Sequence, residues 1–557
     1  MMPGGGHDAV VIGAGAGGGA AAWQLCALGL KVLLLEAGPA FDPATDYPLT
    51  APGWERHGFP APPGSRAMLS YGDLGRLDPA TEDLASWSRG GFPWRLPPGA
   101  PRPPSDVGYA HVQGVGGSTL HFVGEAHRLH PDAFCRHSLT GQGVDWPIGY
   151  NDLEPFYALA EEVTGVAGDG APDGRPRSAP YPLPPHALGP GARALVAAGA
   201  RIGQHWQVNP RAALSRPHDD RPACNYCGQC SRGCPLGDKG STDVTYLRRA
   251  AATGRLTLVP GAIVTRLRTG PNGTIVRAEV VAGGRAQTVE TPLLFLCAGA
   301  VQTPRLLLLS ASADLPRGVA NSSGQVGRNF METLMWRSSG LVPGLTGSHR
   351  GLPADAICWA PDAGDPGGFR LNHTTLEAGL NGPIAYANRL LAGHGEALKA
   401  ALRARFGSAL AVGAIGEVVP DARSAVTLDP ERRDALGLPV ARISSVLTDT
   451  ALARLRRMAA ACRAVLAEAG AELAEEAGSR DAFTATHVFG TARMGRDPAT
   501  SVADPLGRSH DHANLWIADA SLFPGSGGGE SPSLTIMALA LRAARAAAGE
   551  GPPVSPY

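Results

Sequence analysis

The sequence has 557 residues, with 49 Lys+Arg balanced by 49 Asp+Glu. That length supports two or three domain-sized cores, and the charge balance gives no electrostatic footing for nucleic acid or an acidic membrane. No apolar run is long enough to span a bilayer, so no transmembrane segment is expected. The start, Met1-Met2-Pro3-Gly4-Gly5-Gly6-His7, has neither a basic n-region nor an apolar h-region. Of the nine cysteines, Cys26, Cys135, Cys297, Cys358 and Cys462 stand alone, the usage of a reducing compartment. A cytoplasmic protein is expected.

In chain order, residues 8–12 alternate too little for a surface strand and read as a buried parallel one. Gly13, Gly15 and Gly18 follow with G-x-G-x-x-G spacing. The first permits a tight turn, the second lets backbone approach a pyrophosphate, and the third allows close helix–strand packing. A helix over residues 18–28 would place its N-terminus at the pyrophosphate. Residues 31–35 read as the next strand, closed by Glu36, roughly 20 residues beyond the turn, where a carboxylate accepts hydrogen bonds from a ribose diol. This predicts a dinucleotide site without separating FAD from NAD.

Proline-rich stretches at 48–63, 93–104 and 172–190 read as surface connections. Residues 151–165 have helical periodicity with Asn151 as cap. Residues 257–267, 275–282 and 287–296 read as strands of a meander, with Pro271-Asn272-Gly273 as a turn. Residues 293–300 form a buried strand running into a glycine turn. Helices are expected over 451–469 and 533–548. The first sheet needs later strands, which predicts an α/β fold with a discontinuous Rossmann-like domain and an inserted second domain.

Five segments together resemble the glucose–methanol–choline (GMC) flavin oxidoreductases. They are the N-terminal fingerprint ending at Glu36; Gly114-Val115-Gly116-Gly117-Ser118-Thr119-Leu120-His121; Gly299-Ala300-Val301-Gln302-Thr303-Pro304-Arg305-Leu306-Leu307; His487-Val488-Phe489-Gly490-Thr491; and Asn514 to Pro524, which contains Asp519. The resemblance implies FAD and a substrate domain built on an antiparallel sheet. It divides the chain into FAD-binding segments 1–60, 100–135, 225–330 and 480–550 and substrate segments 61–99, 136–224 and 331–479. It also implies oxidation of a CH–OH group to a carbonyl by hydride transfer to flavin N5. Gly116, Gly117 and Ser118 would lie along the middle of the flavin nucleotide, Val264 would hold the adenine through its backbone, and Asp519 would face the ribityl or pyrophosphate region. Some relatives join a histidine at the place of His121 covalently to the flavin; the non-covalent reading is preferred here.

Alcohol oxidation needs a proton acceptor, a role suited to neutral imidazole, and the resemblance puts His487 there. The family usually adds Asn or His where this chain has Ser531. A serine has shorter reach, and Glu530 is a candidate to assist. A sugar, polyol or glycoside is the first substrate expectation, with a sterol or fatty alcohol as the alternative. A non-redox flavin lyase and a flavoprotein without chemistry are further readings. The electron acceptor would be oxygen, a quinone or a redox partner protein.

Cys224, Cys227, Cys230 and Cys234 have the spacing C-x2-C-x2-C-x3-C-P of bacterial ferredoxins. Two readings stand: an iron–sulfur cluster, or a loop of free thiols or disulfides.

Overall fold

The structure, a computed structural model, describes residues 6–46, 87–96, 109–170, 173–231, 233–359, 368–479 and 487–552. The strand Ala9–Ile12 lies at the centre of a five-stranded parallel sheet. On one side it pairs with Leu294–Leu296, which pairs with Leu515–Ile517; on the other it pairs with Val32–Leu35, which pairs with Leu256–Val259. Ala9–Ile12, Val32–Leu35, Leu294–Leu296 and Leu515–Ile517 are buried throughout, which explains the continuous apolar runs: helices cover both faces of such a sheet, so no face alternates to polar. The helix Ala16–Ala27 packs against the terminal helix Ser533–Ala547. The nucleotide fold is therefore assembled from both ends of the chain and its middle.

Two expected strands each divide. Residues 257–267 separate into Leu256–Val259, in the parallel sheet, and Ala262–Thr269, in an antiparallel meander. The break falls at Pro260-Gly261, with Gly261 at φ +67°. Residues 287–296 likewise separate into Arg285–Glu290 and Leu294–Leu296 around Pro292. Proline and a left-handed glycine interrupt ladder pairing, so one apolar run serves two sheets. The turn at 271–273 forms as expected, between Ala262–Thr269 and Ile275–Ala282.

The second body is a six-stranded antiparallel sheet, in the order Glu472–Gly478, Leu334–Leu341, Ala409–Gly416, Phe369–His373, Ala356–Cys358 and Trp206–Val208. The helix Asp449–Glu468 lies across it and buries Leu455, Met458, Cys462 and Val465 against Leu371, Val412 and Ala414. The strand Phe369–His373 alternates: Phe369 and Leu371 join this core, which leaves Arg370 on the opposite face.

Local readings are adjusted in three places. The helix expected from Asn151 runs Tyr150–Thr164, with Gly149 as N-cap and the Asp152 carboxylate accepting from its N–H at 2.7 Å. The stretch 93–104 is only in part a connection, because Pro93 belongs to the strand Trp87–Leu96, paired parallel to Pro439–Val446; residues 97–104 and the stretch 48–63 lie outside the described residues. Pro190 opens the helix Pro190–Arg201 instead of closing a loop, the position where a missing N–H costs nothing. Among the lone cysteines, Cys26, Cys297, Cys358 and Cys462 are buried and Cys135 is half-buried.

The closest packing is at the fingerprint. A Cβ on Gly18 would lie 1.7 Å from the Gly13 carbonyl oxygen, whereas one on Gly29, at φ +97°, would meet nothing within 4 Å. Gly18→Ala is expected to cost about 3 kcal/mol. Gly29→Ala should cost about 1–2 kcal/mol, from its left-handed backbone alone. Urea unfolding of the two variants measures the difference, and equal costs would show that the strand–helix approach is loose.

Candidate functional site

Two glycine turns from distant parts of the sequence meet at backbone distance. The helix Ala16–Ala27 begins two residues earlier than expected, with Gly15 as its N-cap, no capping side chain and no acid in its first turn. Its N–H groups are thus left to an anion. Gly116 and Gly117 both have positive φ, at +111° and +54°. A Cβ on Gly117 would come within 2.6 Å of Gly15 Cα. Gly13, at φ +96°, sits under the Cys297 carbonyl, which a Cβ would approach to 2.6 Å. Gly17, outside the fingerprint, is equally constrained: its Cβ would lie 1.8 Å from the Ala518 carbonyl oxygen.

Around this crossing runs a cavity of ≈ 320 Å³. Glu36, Ala37 and Val264 line it, as do Gly13, Gly15, Gly117, Ser118 and His121, and also Asp519, His487, Ser531 and Glu125. Glu36 accepts from the Ala14 and Gly38 amides, at 2.8 and 2.9 Å. Burial raises its pKa, opposed by those backbone donors. Asp519 caps the short helix Ala520–Leu522 through the Ser521 amide at 2.8 Å; it also takes Gly299 N–H at 2.9 Å and the Thr303 hydroxyl at 2.5 Å. Its side chain therefore anchors two turns at the cavity wall. Ser118 accepts a long bond from Val112 N–H, at 3.4 Å.

His121 is buried, and its Nδ1 lies 2.8 Å from the Ser231 carbonyl oxygen. A carbonyl only accepts, so Nδ1 carries the proton. Burial, with Lys239 nearby, pushes its pKa down to about 3. Lys239 is buried too and donates to the carbonyls of Leu120, Phe122 and Cys230. The cysteine loop is thereby braced against the segment that lines the cavity.

His487 is 9% exposed, and its Nδ1 is buried without a hydrogen-bond partner. Burial and the Arg370 charge push its pKa down to about 4, against a smaller opposing pull from Glu125. The imidazole is neutral at physiological pH.

Ser531 is placed in the same cavity, but its surroundings were not foreseen. Its hydroxyl donates to Glu125 Oε2 at 2.6 Å, and Glu125 forms a two-pronged ion pair with Arg370 at 3.0 and 2.6 Å. Burial alone would raise the Glu125 pKa; Arg370, His127 and Ser531 instead hold the carboxyl well below the usual range. Glu125, Arg370, His127 and Asn209 are thus site residues that sequence reasoning missed. The available signals were an acid directly after the expected flavin segment, in Gly124-Glu125-Ala126-His127, and an arginine inside the strand Phe369–His373.

One expectation is corrected. Glu530 does not face the reacting end: it pairs with Arg175 at 2.6 Å and accepts from the His130 and Gly528 amides, at 3.2 and 2.6 Å. With its oxygens engaged and Arg175, opposing its burial, holding its pKa down, it is a structural ion. Of the two readings of Cys224, Cys227, Cys230 and Cys234, the side-chain placement fits the loop of free thiols: among the described residues, no three or more His, Cys, Asp or Glu side chains are grouped to hold a metal ion. Left-handed residues at Tyr226, Gly228 and Gly233 turn the loop repeatedly, leaving Cys227 exposed and Cys230 buried. Cys234 Sγ donates to Asp238 at 2.7 Å. Burial and the Asp238 carboxylate push the Cys234 thiol up to about 12 and raise Cys224 as well. Both thiols are therefore held protonated.

A parallel sheet with a glycine cradle at its carboxyl edge, and a buried neutral histidine at the far end of the same cavity, define a dinucleotide-dependent oxidoreductase. Comparison with known proteins narrows the class. Residues 187–335 and 420–540 match the N- and C-terminal models described as GMC oxidoreductase, and residues 11–72 match an NAD(P)-binding Rossmann-like domain. The chain is 30% identical to the fructose dehydrogenase large subunit of Gluconobacter japonicus, covering 97% of both chains. It is also 30% identical to the 6'''-hydroxyparomomycin C oxidase of Streptomyces lividus, covering 97% of this chain and 91% of that one. The solved structure of pyridoxine 4-oxidase from Mesorbium loti shares the fold, with TM-score 0.65, 21% identity and coverage of 98% and 100%. The chain belongs to the GMC oxidoreductase family. Membership implies FAD, and the residues fit it: the crossed glycines leave no side chain in the cradle, the helix N-terminus is uncapped, and Glu36 stands at the end of the second strand. No helix among the described residues is long and apolar enough to cross a membrane.

The cysteine loop makes a direct prediction. Under native conditions, Cys227 should react first with iodoacetamide and Cys230 last, as read by mass spectrometry; protection of Cys227 would overturn the free-thiol arrangement.

Proposed function

We propose that the chain is an FAD-dependent alcohol dehydrogenase or oxidase that converts a CH–OH group of a sugar, polyol or glycoside to a carbonyl. The observation that carries this reading is the continuity of one cavity, from Glu36 and Val264, through the glycine crossing, to His487 and Ser531. Relatives named for fructose, 2-methyl-1,2-propanediol and hydroxyparomomycin C support a polyhydroxylated substrate. The same reading assigns residues 1–60, 100–135, 225–330 and 480–550 to FAD binding and residues 61–99, 136–224 and 331–479 to the substrate domain.

Bound FAD would supply the hydride acceptor. Gly13, Gly15 and Gly18 would shape the pyrophosphate cradle, and the N-terminal N–H groups of Ala16–Ala27 would stabilise its charge. Glu36 would hold the adenosine ribose, and the backbone of Val264 the adenine. Gly116, Gly117 and Ser118 would let the middle of the cofactor pass, while Asp519 holds the turn beside it. His121, its Nδ1 held by the Ser231 carbonyl, would lie against the cofactor without a covalent bond. His487 accepts the hydroxyl proton, because an alkoxide gives up hydride far more readily than an alcohol. Its buried position keeps the accepting nitrogen unprotonated until a substrate arrives.

His487→Ala should retain FAD and slow anaerobic flavin reduction by alcohol roughly a hundredfold or more. Unchanged kinetics would remove His487 from the chemistry. The pH profile tests the same residue in a second way. A base works above its pKa, so kcat/KM for flavin reduction should stay level from neutral pH downward and fall only as pH drops through about 4. A limb near 6.5 would show an ordinary exposed imidazole.

A further inference from the structure

Ser531 belongs to a closed ring of hydrogen bonds in which every proton has one place. Its N–H donates to His127 Nδ1 at 3.0 Å. His127 Nδ1 is therefore unprotonated, and Nε2–H donates to Asn209 Oδ1 at 2.7 Å. Asn209 thus turns its amide nitrogen to Glu125 Oε1, at 2.8 Å. Glu125 Oε2 receives the Ser531 hydroxyl proton at 2.6 Å, which closes the ring. Burial pushes the His127 pKa down to about 3, keeping it neutral as this order requires. Arg370 fastens the ring by donating to both Glu125 oxygens, to the Gly529 carbonyl at 2.7 Å and to Ser531 Oγ at 3.3 Å. The carboxylate thereby accepts four donors, about its full capacity.

The serine hydroxyl has a single proton, and Glu125 holds it. Toward the cavity Ser531 offers only a lone pair. Neutral His487 also presents an acceptor to a substrate alcohol. One hydroxyl proton cannot serve both, and the Ser531 lone pair left over beside the Arg370 contact is met only by a second donor. We infer that the site, whose cavity wall carries both His487 and Ser531, selects alcohols carrying a second hydrogen-bond donor, a hydroxyl or amino group, beside the reacting hydroxyl. The reacting hydroxyl donates to His487, the neighbouring donor to Ser531, and Glu125 is the positioning residue that keeps Ser531 an acceptor. This rests on the proposed role of His487. It also assigns a function to the departure at 531, where an asparagine would present a donor as well as an acceptor.

The test is anaerobic flavin reduction in the holoenzyme with propane-1,2-diol, 1-aminopropan-2-ol, propan-2-ol and 1-methoxypropan-2-ol. The last two lack the second donor; one is smaller than the diol and the other larger, which separates bulk from hydrogen bonding. The diol and amino alcohol should exceed both in kcat/KM by about tenfold or more. Ser531→Ala should erase that gap while FAD stays bound. Glu125→Gln should narrow it as well, because a glutamine amide can donate to Ser531 and release its proton toward the cavity. The double variant should discriminate no less than Ser531→Ala alone. Equal use of all four alcohols by the unaltered enzyme, or a full gap surviving in Ser531→Ala, overturns the inference. Ser531→Ala alone decides should Glu125→Gln fail to fold. His487→Ala separates the two layers: if it still reduces flavin at the normal rate, the role of His487 fails, whereas its loss of activity beside a surviving gap in Ser531→Ala sinks the donor rule alone.

Discussion

The structure depends on the crossing of two backbones at Gly15 and Gly117. A Cβ on Gly117 would clash with Gly15 Cα at 2.6 Å, whereas one on Gly15 would stand 3.8 Å from Gly117 Cα on the cavity wall, and the crossing decides where the surrounding segments lie. The first turn is held by the parallel sheet and by Glu36, which ties the Ala14 and Gly38 amides to the end of the second strand. The second turn is held from behind by Thr119, which donates to the Gly116 carbonyl and accepts from the Thr242 amide, and by Lys239 below it. Behind the Gly17 face stands Ala518, at the end of the strand Leu515–Ile517. The C-terminal segment thus completes a site that the N-terminal segment begins, and a long chain must fold around it before a cofactor can be held.

At the reacting end, organisation is electrostatic. Arg370 reaches out from the six-stranded sheet and Glu125 from the segment that follows the second glycine turn, so their ion pair joins the two bodies across the cavity. A buried pair of this kind adds little net stability compared with a well-packed apolar pair, but removing one partner strands the other charge. Its benefit is directional. It fixes the sense of each hydrogen bond around Ser531 and sets the field in which His487 stays neutral. The two opposite influences on His487, from Arg370 and Glu125, come from this single pair.

The cysteine loop is coupled to the cofactor side through hydrogen bonds. Ser231 orients His121, and Lys239 joins Cys230 to residues 120 and 122. The ferredoxin-like spacing is therefore accompanied by a structural use of the loop as a brace, with its thiols protonated and Asp238 engaged by Cys234.

By itself the sequence determined the features that local rules govern. The buried strands were legible as unbroken apolar runs, the cradle as glycines at set spacing, and the long helices Asp449–Glu468 and Ser533–Ala547 as periodic segments. The place of His487 was legible only through its motif. Tertiary structure decided what depends on partners far apart in the chain. No spacing rule relates Glu125 to Arg370, Asn209 and Ser531, because the ring closes through space between a loop, a sheet strand and a helix start. For the same reason Glu530 read as a catalytic candidate until Arg175 was found against it. The cysteine run left two readings open because spacing records how far apart residues are along the chain, not where left-handed turns send their side chains.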